Sequence, residues 1–226
     1  MKNLYNALRL KQFYILKELG YEYIDFTPYK PSDNRLQLPD NLDELKKIVS
    51  NCHLCELSKS RTKTVFGEGN PNAELMFIGE GPGATEDSTG RPFVGRAGEL
   101  LTRMIEGALL IPRSSVYIAN IVKCRPPNNR DPNPVEAMAC RDYLTKQIEI
   151  IKPAIIVTLG KVAYRYLTSD ESPIGRVRGE IIKSEDGYII VPTYHPSYLL
   201  RNPSAKKDAY KDMLLVKSLL NYDKGR

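Results

Sequence analysis

Four cysteines stand in this chain as a tight pair, Cys52-His53-Leu54-Cys55, and as two separate thiols, Cys124 and Cys140, with fifteen residues between them. Thiolates in this number and pattern suggest ligands for an inorganic centre. A zinc ribbon ordinarily carries two short Cys-x-x-Cys knuckles. One knuckle plus two isolated cysteines, with Pro126 and Pro127 close behind Cys124, better suits a cubane iron–sulfur (4Fe-4S) cluster held by four thiolates. Zinc, and four buried cysteines that bind nothing, are the alternatives. His53 lies inside the knuckle, but four thiolates already complete a ligand set, so it reads as an exposed loop histidine.

Two further segments carry reactive types. Gly79-Glu80-Gly81-Pro82-Gly83 opens like a nucleotide-binding turn, yet it has no third glycine at dinucleotide spacing and no Walker lysine, and Pro82 lacks the amide a phosphate would use. It is either a tight strand-to-helix turn or a place where backbone approaches a ligand closely. His195, the chain's other histidine, lies between Pro192 and Pro196 and is followed by Ser197 and Tyr198. A rigid turn of that kind projects an imidazole into a cleft, where it can donate to an oxygen that gains negative charge; a satisfied core histidine is the alternative.

The elements that must hold these residues follow from periodicity. Leu4, Leu8, Ile15, Leu16 and Leu19 predict an N-terminal helix, and a proline-rich polar loop runs from Thr27 to Pro39. Asp40 or Asn41 caps a helix carrying Leu42, Leu45, Ile48 and Val49 into the first cysteine pair. Strands then alternate with helices: strand Leu75 to Ile78 and helix 96–110, strand Val116 to Ala119 and helix 134–150, strand Ile155 to Leu159 and helix 160–168, strand Tyr188 to Pro192 and helix 204–220. That alternation predicts an α/β domain with a parallel sheet covered on both faces. Ligands bind such sheets beyond the carboxyl ends of the strands. The glycine run, Asn120 and His195 all fall there.

At 226 residues and 42% apolar content, the chain has enough for one buried core with an extension. Its apolar runs are strand-sized and its N-terminus lacks a signal-peptide core, which predicts a cytosolic protein that spans no membrane. Reduced thiols in that compartment favour metal ligation over disulfides. A net charge of +6, with Lys123, Arg125, Arg130, Arg201, Lys206 and Lys207 grouped near the candidate site, suits contact with a polyanion.

Taken together, the glycine run with Glu86-Asp87, the segment Gly90-Arg91-Pro92-Phe93-Val94-Gly95, the segment from Asn120 through Lys123-Cys124-Arg125-Pro126-Pro127 to Asn128, and His195-Pro196-Ser197-Tyr198-Leu199-Leu200 resemble the family 4, iron–sulfur-containing, uracil-DNA glycosylases. The resemblance covers about residues 40 to 221, includes all four cysteines and keeps the family's motif order. It implies a three-layer α/β/α domain over residues 40–226 with a central four-stranded parallel sheet; the helical extension over residues 1–39 lies outside the resemblance. The extension reads as an added packing element or as a docking segment for a replication or repair protein.

The resemblance further implies that uracil is flipped from DNA and its N-glycosidic bond hydrolysed to leave an abasic site. Phe93 would stack on the base, and Asn120 would face its O4 and N3–H. His195 would stabilise charge growing at O2, helped by the Glu80-Gly81 backbone. Glu80 is implied to orient or activate water, with Glu86 as a competitor that more naturally guards the uracil C5 position against thymine's methyl. Asn128 would steady Glu86 or the DNA; a plain turn residue is the alternative. Leu199 would wedge into the vacated stack, Ser197 would contact phosphate and Arg201 would add looser attraction. Cys52, Cys55, Cys124 and Cys140 would hold the cluster in a monomeric enzyme whose partner is uracil-containing DNA. A family 5 relative would be expected to replace Glu80 with an apolar residue. A non-catalytic iron–sulfur DNA-binding module, or a redox enzyme built on the Cys52–Cys55 pair, leaves Phe93, Asn120 and His195 without work.

Overall fold

The structure, a computed structural model, describes Lys17, Glu18 and residues 38–223. The chain divides between Gln37 and Leu38. The helix expected over residues 4–19, apart from helical Lys17 and Glu18, lies outside the described residues, as does nearly all of the loop from Thr27 to Pro39.

From residue 38 onward the elements are α1 (Leu42–Ser50), α2 (Leu57–Ser60), β1 (Glu68–Gly69), β2 (Leu75–Gly79), α3 (Ala84–Thr89), α4 (Arg96–Met104), β3 (Tyr117–Asn120), α5 (Pro134–Ile151), β4 (Ile155–Leu159), α6 (Lys161–Thr168), α7 (Ile174–Val177), β5 (Ile182–Lys183), β6 (Ile189–Thr193), α8 (Pro196–Arg201) and α9 (Lys206–Asp223). The sheet order is β1-β3-β2-β4-β6-β5. Its four inner strands are parallel, as expected; β1 and β5 add short antiparallel edges.

The inner strands are buried on both faces, which is why they read as continuous apolar runs rather than alternating ones. Met76 and Ile78 face a core completed by Leu45 and Val49 of α1 and by Tyr143, Leu144 and Ile148 of α5. Leu75 and Phe77 face the opposite core, made with Leu101, Ile105, Met213 and Val216. Alternate side chains of one strand thus anchor two helical layers, giving the α/β/α sandwich. Full burial of one such side chain contributes about 1.5–3 kcal/mol.

Local chemistry sets the helix ends. Asn41 accepts the Asp43 and Glu44 amides to start α1. At α5, Asn133 and Glu136 form a reciprocal capping box with Pro134 in the first turn. The helix expected to run unbroken over 96–110 widens after Met104 into a π-turn, Ile105–Leu109, and stops at left-handed Leu110. The segment after His195, read as a turn, is instead α8: His195 is its N-cap and Pro196 its first residue, a position that suits proline.

Candidate active site

The carboxyl ends of β2, β3, β4 and β6 deliver Gly79, Asn120, Leu159 and Thr193 to one edge of the sheet. A cleft of about 550 Å³ opens there, lined by residues that include Glu80, Gly81, Glu86, Phe93, Asn120 and His195. The β2–β3 pairing continues past the strands: the Ile121 and Val122 amides donate to the carbonyls of Gly79 and Glu80 at 2.9 and 3.2 Å, fixing the glycine turn to the next strand.

Asn120 forms the floor. It is 1% exposed, and its side-chain Oδ1 is buried with no hydrogen-bond partner. Such an acceptor is costly unless something arrives to satisfy it. Gly79 makes the arrangement possible, because a Cβ there would lie 2.5 Å from both Asn120 Oδ1 and Phe93 Cζ. Carboxamide and phenyl ring therefore meet over bare backbone.

Phe93 is buried in the left-handed region, at φ 51°, an unfavourable conformation for a bulky residue. Arg113, Glu86 and Gly98 hold it. Arg113 donates to the Pro92 carbonyl at 2.8 Å, and Glu86 Oε1 accepts the Val94 and Gly95 amides at 2.9 and 2.8 Å. Gly98 lets α4 lie directly against the Phe93 carbonyl, where a Cβ would fall 1.9 Å away. Glu86 does line the cleft, but one of its oxygens braces this turn.

The His195 ring lies 5.8 Å from that of Phe93. Its Nδ1 accepts the Ser197 amide at 3.1 Å and lies 2.7 Å from the Ser197 hydroxyl. With Nδ1 accepting, a neutral ring carries its proton on Nε2. Burial, aided by the Arg201 charge and opposed by Glu86, pushes the imidazole down to about 4, so it is neutral at physiological pH. Glu80 moves the other way. Burial, then the charge and hydrogen bond of Asp131, push its carboxyl up to about 7 against the pull of Lys161.

The expected place of Leu199 needs correction. Leu199 is 1% exposed, packed with Leu100 and Ala209, so it is not free to enter a base stack. The helical turn of α8 points it inward and leaves Tyr198, 39% exposed, at the rim, stacked on Tyr194 at 4.9 Å. Ser197 serves His195 before any phosphate. Asn128 is exposed, while its neighbour Asn129 lines the cleft and accepts from Arg125 at 2.8 Å. Arg201 is exposed on the cleft wall. Asp131 and Lys161 also line the cleft, and nothing in the sequence singles out Asp131. Lys161 did carry a signal: a cation at the first position of a helix opposes the helix dipole.

All four cysteines are free thiols. Cys124 and Cys140 belong to one core cluster, and Cys52 and Cys55 pack against it. Burial raises both inner thiols, Cys140 to about 11, and their causes include Cys55 acting on each. Arg61 Nη1 donates to Cys124 Sγ at 3.3 Å. Among the described residues, no three His, Cys, Asp or Glu side chains are grouped to hold a metal ion. No described helix is long and apolar enough to cross a membrane.

A sequence model described as the uracil DNA glycosylase superfamily matches residues 66–217. A protein named type-4 uracil-DNA glycosylase from Sulfurisphaera tokodaii is 49% identical over 187 residues, covering 80% of this chain and 85% of its own. Its counterpart of the same name from Saccharolobus solfataricus is 49% identical over 189 residues, with 80% and 88% covered. The one from Thermotoga maritima is 51% identical over 167 residues, with 72% and 86% covered.

Proposed function

The chain belongs to the uracil DNA glycosylase superfamily, and on that premise we propose that it is a type-4 uracil-DNA glycosylase that hydrolyses the bond between uracil and deoxyribose. The observation that carries the proposal furthest is the unpartnered Asn120 Oδ1 on the cleft floor. Uracil N3–H is a donor suited to that atom, and the same carboxamide's NH2 suits O4. Cytosine offers an acceptor at N3 and an amine in place of O4, so it mismatches both.

With the base flipped into the cleft, Phe93 stacks on its face. The N1–C1′ bond breaks and its electron pair stays with the uracil, where charge grows at O2. Neutral His195 donates its Nε2 proton as a hydrogen bond to that oxygen, an interaction that strengthens as charge develops. Water bonds to C1′, and its proton passes to the Glu80 carboxylate. A carboxyl near 7 is basic enough for this and is ionised in about half of the molecules at neutral pH. Glu86 stands by the cleft wall as the barrier to a C5 methyl. Tyr198, rather than Leu199, is the ring positioned to fill the space left in the duplex, and Arg201 supplies attraction to phosphate.

Cys52, Cys55, Cys124 and Cys140 would hold a 4Fe-4S cluster. The donor set fits it: four free thiols share one core, and Arg61 offsets negative charge at Cys124. When bound, the cluster supplies a cross-link between the segment after α1 and the loop and helix that follow Asn120, without electron transfer. The reaction leaves an abasic site for base excision repair, and the N-terminal extension is available to a repair or replication protein.

Asn120→Asp tests the reading of the base. It removes the amide donor to O4, and uracil release from a labelled oligonucleotide should fall at least about tenfold, the equivalent of one buried polar match. Excision at the normal rate would exclude Asn120 from base recognition.

A further inference from the structure

We propose that Asp131 is a positioning residue for Glu80, sharing a proton with its carboxyl across the cleft wall while Lys161 holds Asp131 in place, so that the three together govern activation of the attacking water. This rests on the reading that Glu80 receives the water proton.

The geometry comes from three separate segments. Glu80 follows β2, Asp131 lies in the loop before α5 and Lys161 opens α6; all three line the cleft. Lys161 Nζ lies 2.9 Å from Asp131 Oδ2. The loop carrying Asp131 is braced on both sides. Arg130 forks onto Glu136 at 2.8 and 2.7 Å and also donates to the Asp131 carbonyl at 3.0 Å, while Asn133 and Glu136 close the helix cap just beyond. Lys161 occupies a helix start where a cation is locally unfavourable, and departures from a local rule of this kind collect at functional sites.

The remaining charged groups of the cleft are otherwise engaged. Arg130 is held by Glu136, Glu86 braces the Phe93 turn, and Arg201 acts on His195. The charges that act on Glu80 are Asp131, which favours its protonated form, and Lys161, which opposes this. A carboxyl beside a carboxylate keeps its proton to higher pH. In the reaction Glu80 takes the water proton, the hydrogen bond to Asp131 delocalises it, and solvent at the exposed Asp131 edge removes it.

The test is single-turnover excision from a uracil-containing single strand between about pH 5 and pH 9, with melting temperature and DNA affinity measured for each variant. Asp131→Asn should move the rising acid limb to lower pH, and Lys161→Met should move it to higher pH, each by about half a unit or more at low salt. Asp131 and Lys161 side chains are 58% and 57% exposed, so both variants should fold and both shifts should shrink in high salt. Opposite shifts are not expected from a merely structural role. Limbs unmoved in both variants, or a loss of DNA affinity alone in Lys161→Met, would overturn the proposal. Glu80→Gln separates the premise: if it keeps the wild-type rate and acid limb, the Glu80 role fails, whatever the other two variants do.

Discussion

The side-chain nitrogen of Lys123, a residue 1% exposed, donates at 2.9 Å to the main-chain carbonyl of Asn120. It also donates at 2.6 Å to Gln147 Oε1, and Gln147 in turn donates to the Phe66 carbonyl and the Tyr117 hydroxyl. A buried polar chain thus runs from Gln147 of α5 to the backbone of Asn120 on the cleft floor.

Lys123→Met fills the space but leaves two buried acceptors without a donor. The protein should lose about 1–3 kcal/mol of stability in urea titrations, and excision should slow as the Asn120 backbone loosens. Wild-type single-turnover rates in a destabilised protein would limit Lys123 to a role in folding.

Glu80 should cost the fold stability in a definite pH window. Its carboxyl titrates near 7 in the folded protein, against 4.5 ordinarily. Below about 4.5 it is protonated in both folded and unfolded states, so it imposes no penalty. As pH rises from there to about 7, the unfolded chain releases the proton more readily, and stability falls. Glu80→Gln should therefore melt above the wild type at about pH 8 and lose that advantage near pH 4, while excising uracil poorly. An equal difference in melting temperature at both pH values would contradict this.

Cys140→Ser removes a buried thiol from α5. The wild type should be brown with about four irons per chain, and the variant should lose iron and melting temperature together. Excision by the wild type should need no reductant. Colourless, fully active wild-type protein with one bound zinc would refute the cluster and leave the glycosylase reading intact.

The inner strands were legible because burial on both faces makes them unbroken apolar runs, and the helices between them because their caps and periodicity agree. Two-residue β1 and β5 carry no period to read. The inward turn of Leu199 is not legible because His195-Pro196 fits a bend, while a cap followed by proline also begins a helix. Asp131 is illegible for another reason: it is an ordinary surface charge until the fold sets it near Glu80, whereas Lys161 shows only as a cation at a helix start. The place of Asn120 at a strand end is legible, but its unpartnered oxygen is not, since that depends on what Gly79 lacks.

The left-handed Phe93 has a consequence for how a glycosylase would search. Its turn is clamped by Arg113, Glu86 and the bare face of Gly98, so its ordering entropy is paid when the protein folds and not at each meeting with DNA. A base entering the cleft meets a finished surface. Normal bases far outnumber uracil along any genome, and a stacking face already in place would let each of them go without that turn being reordered.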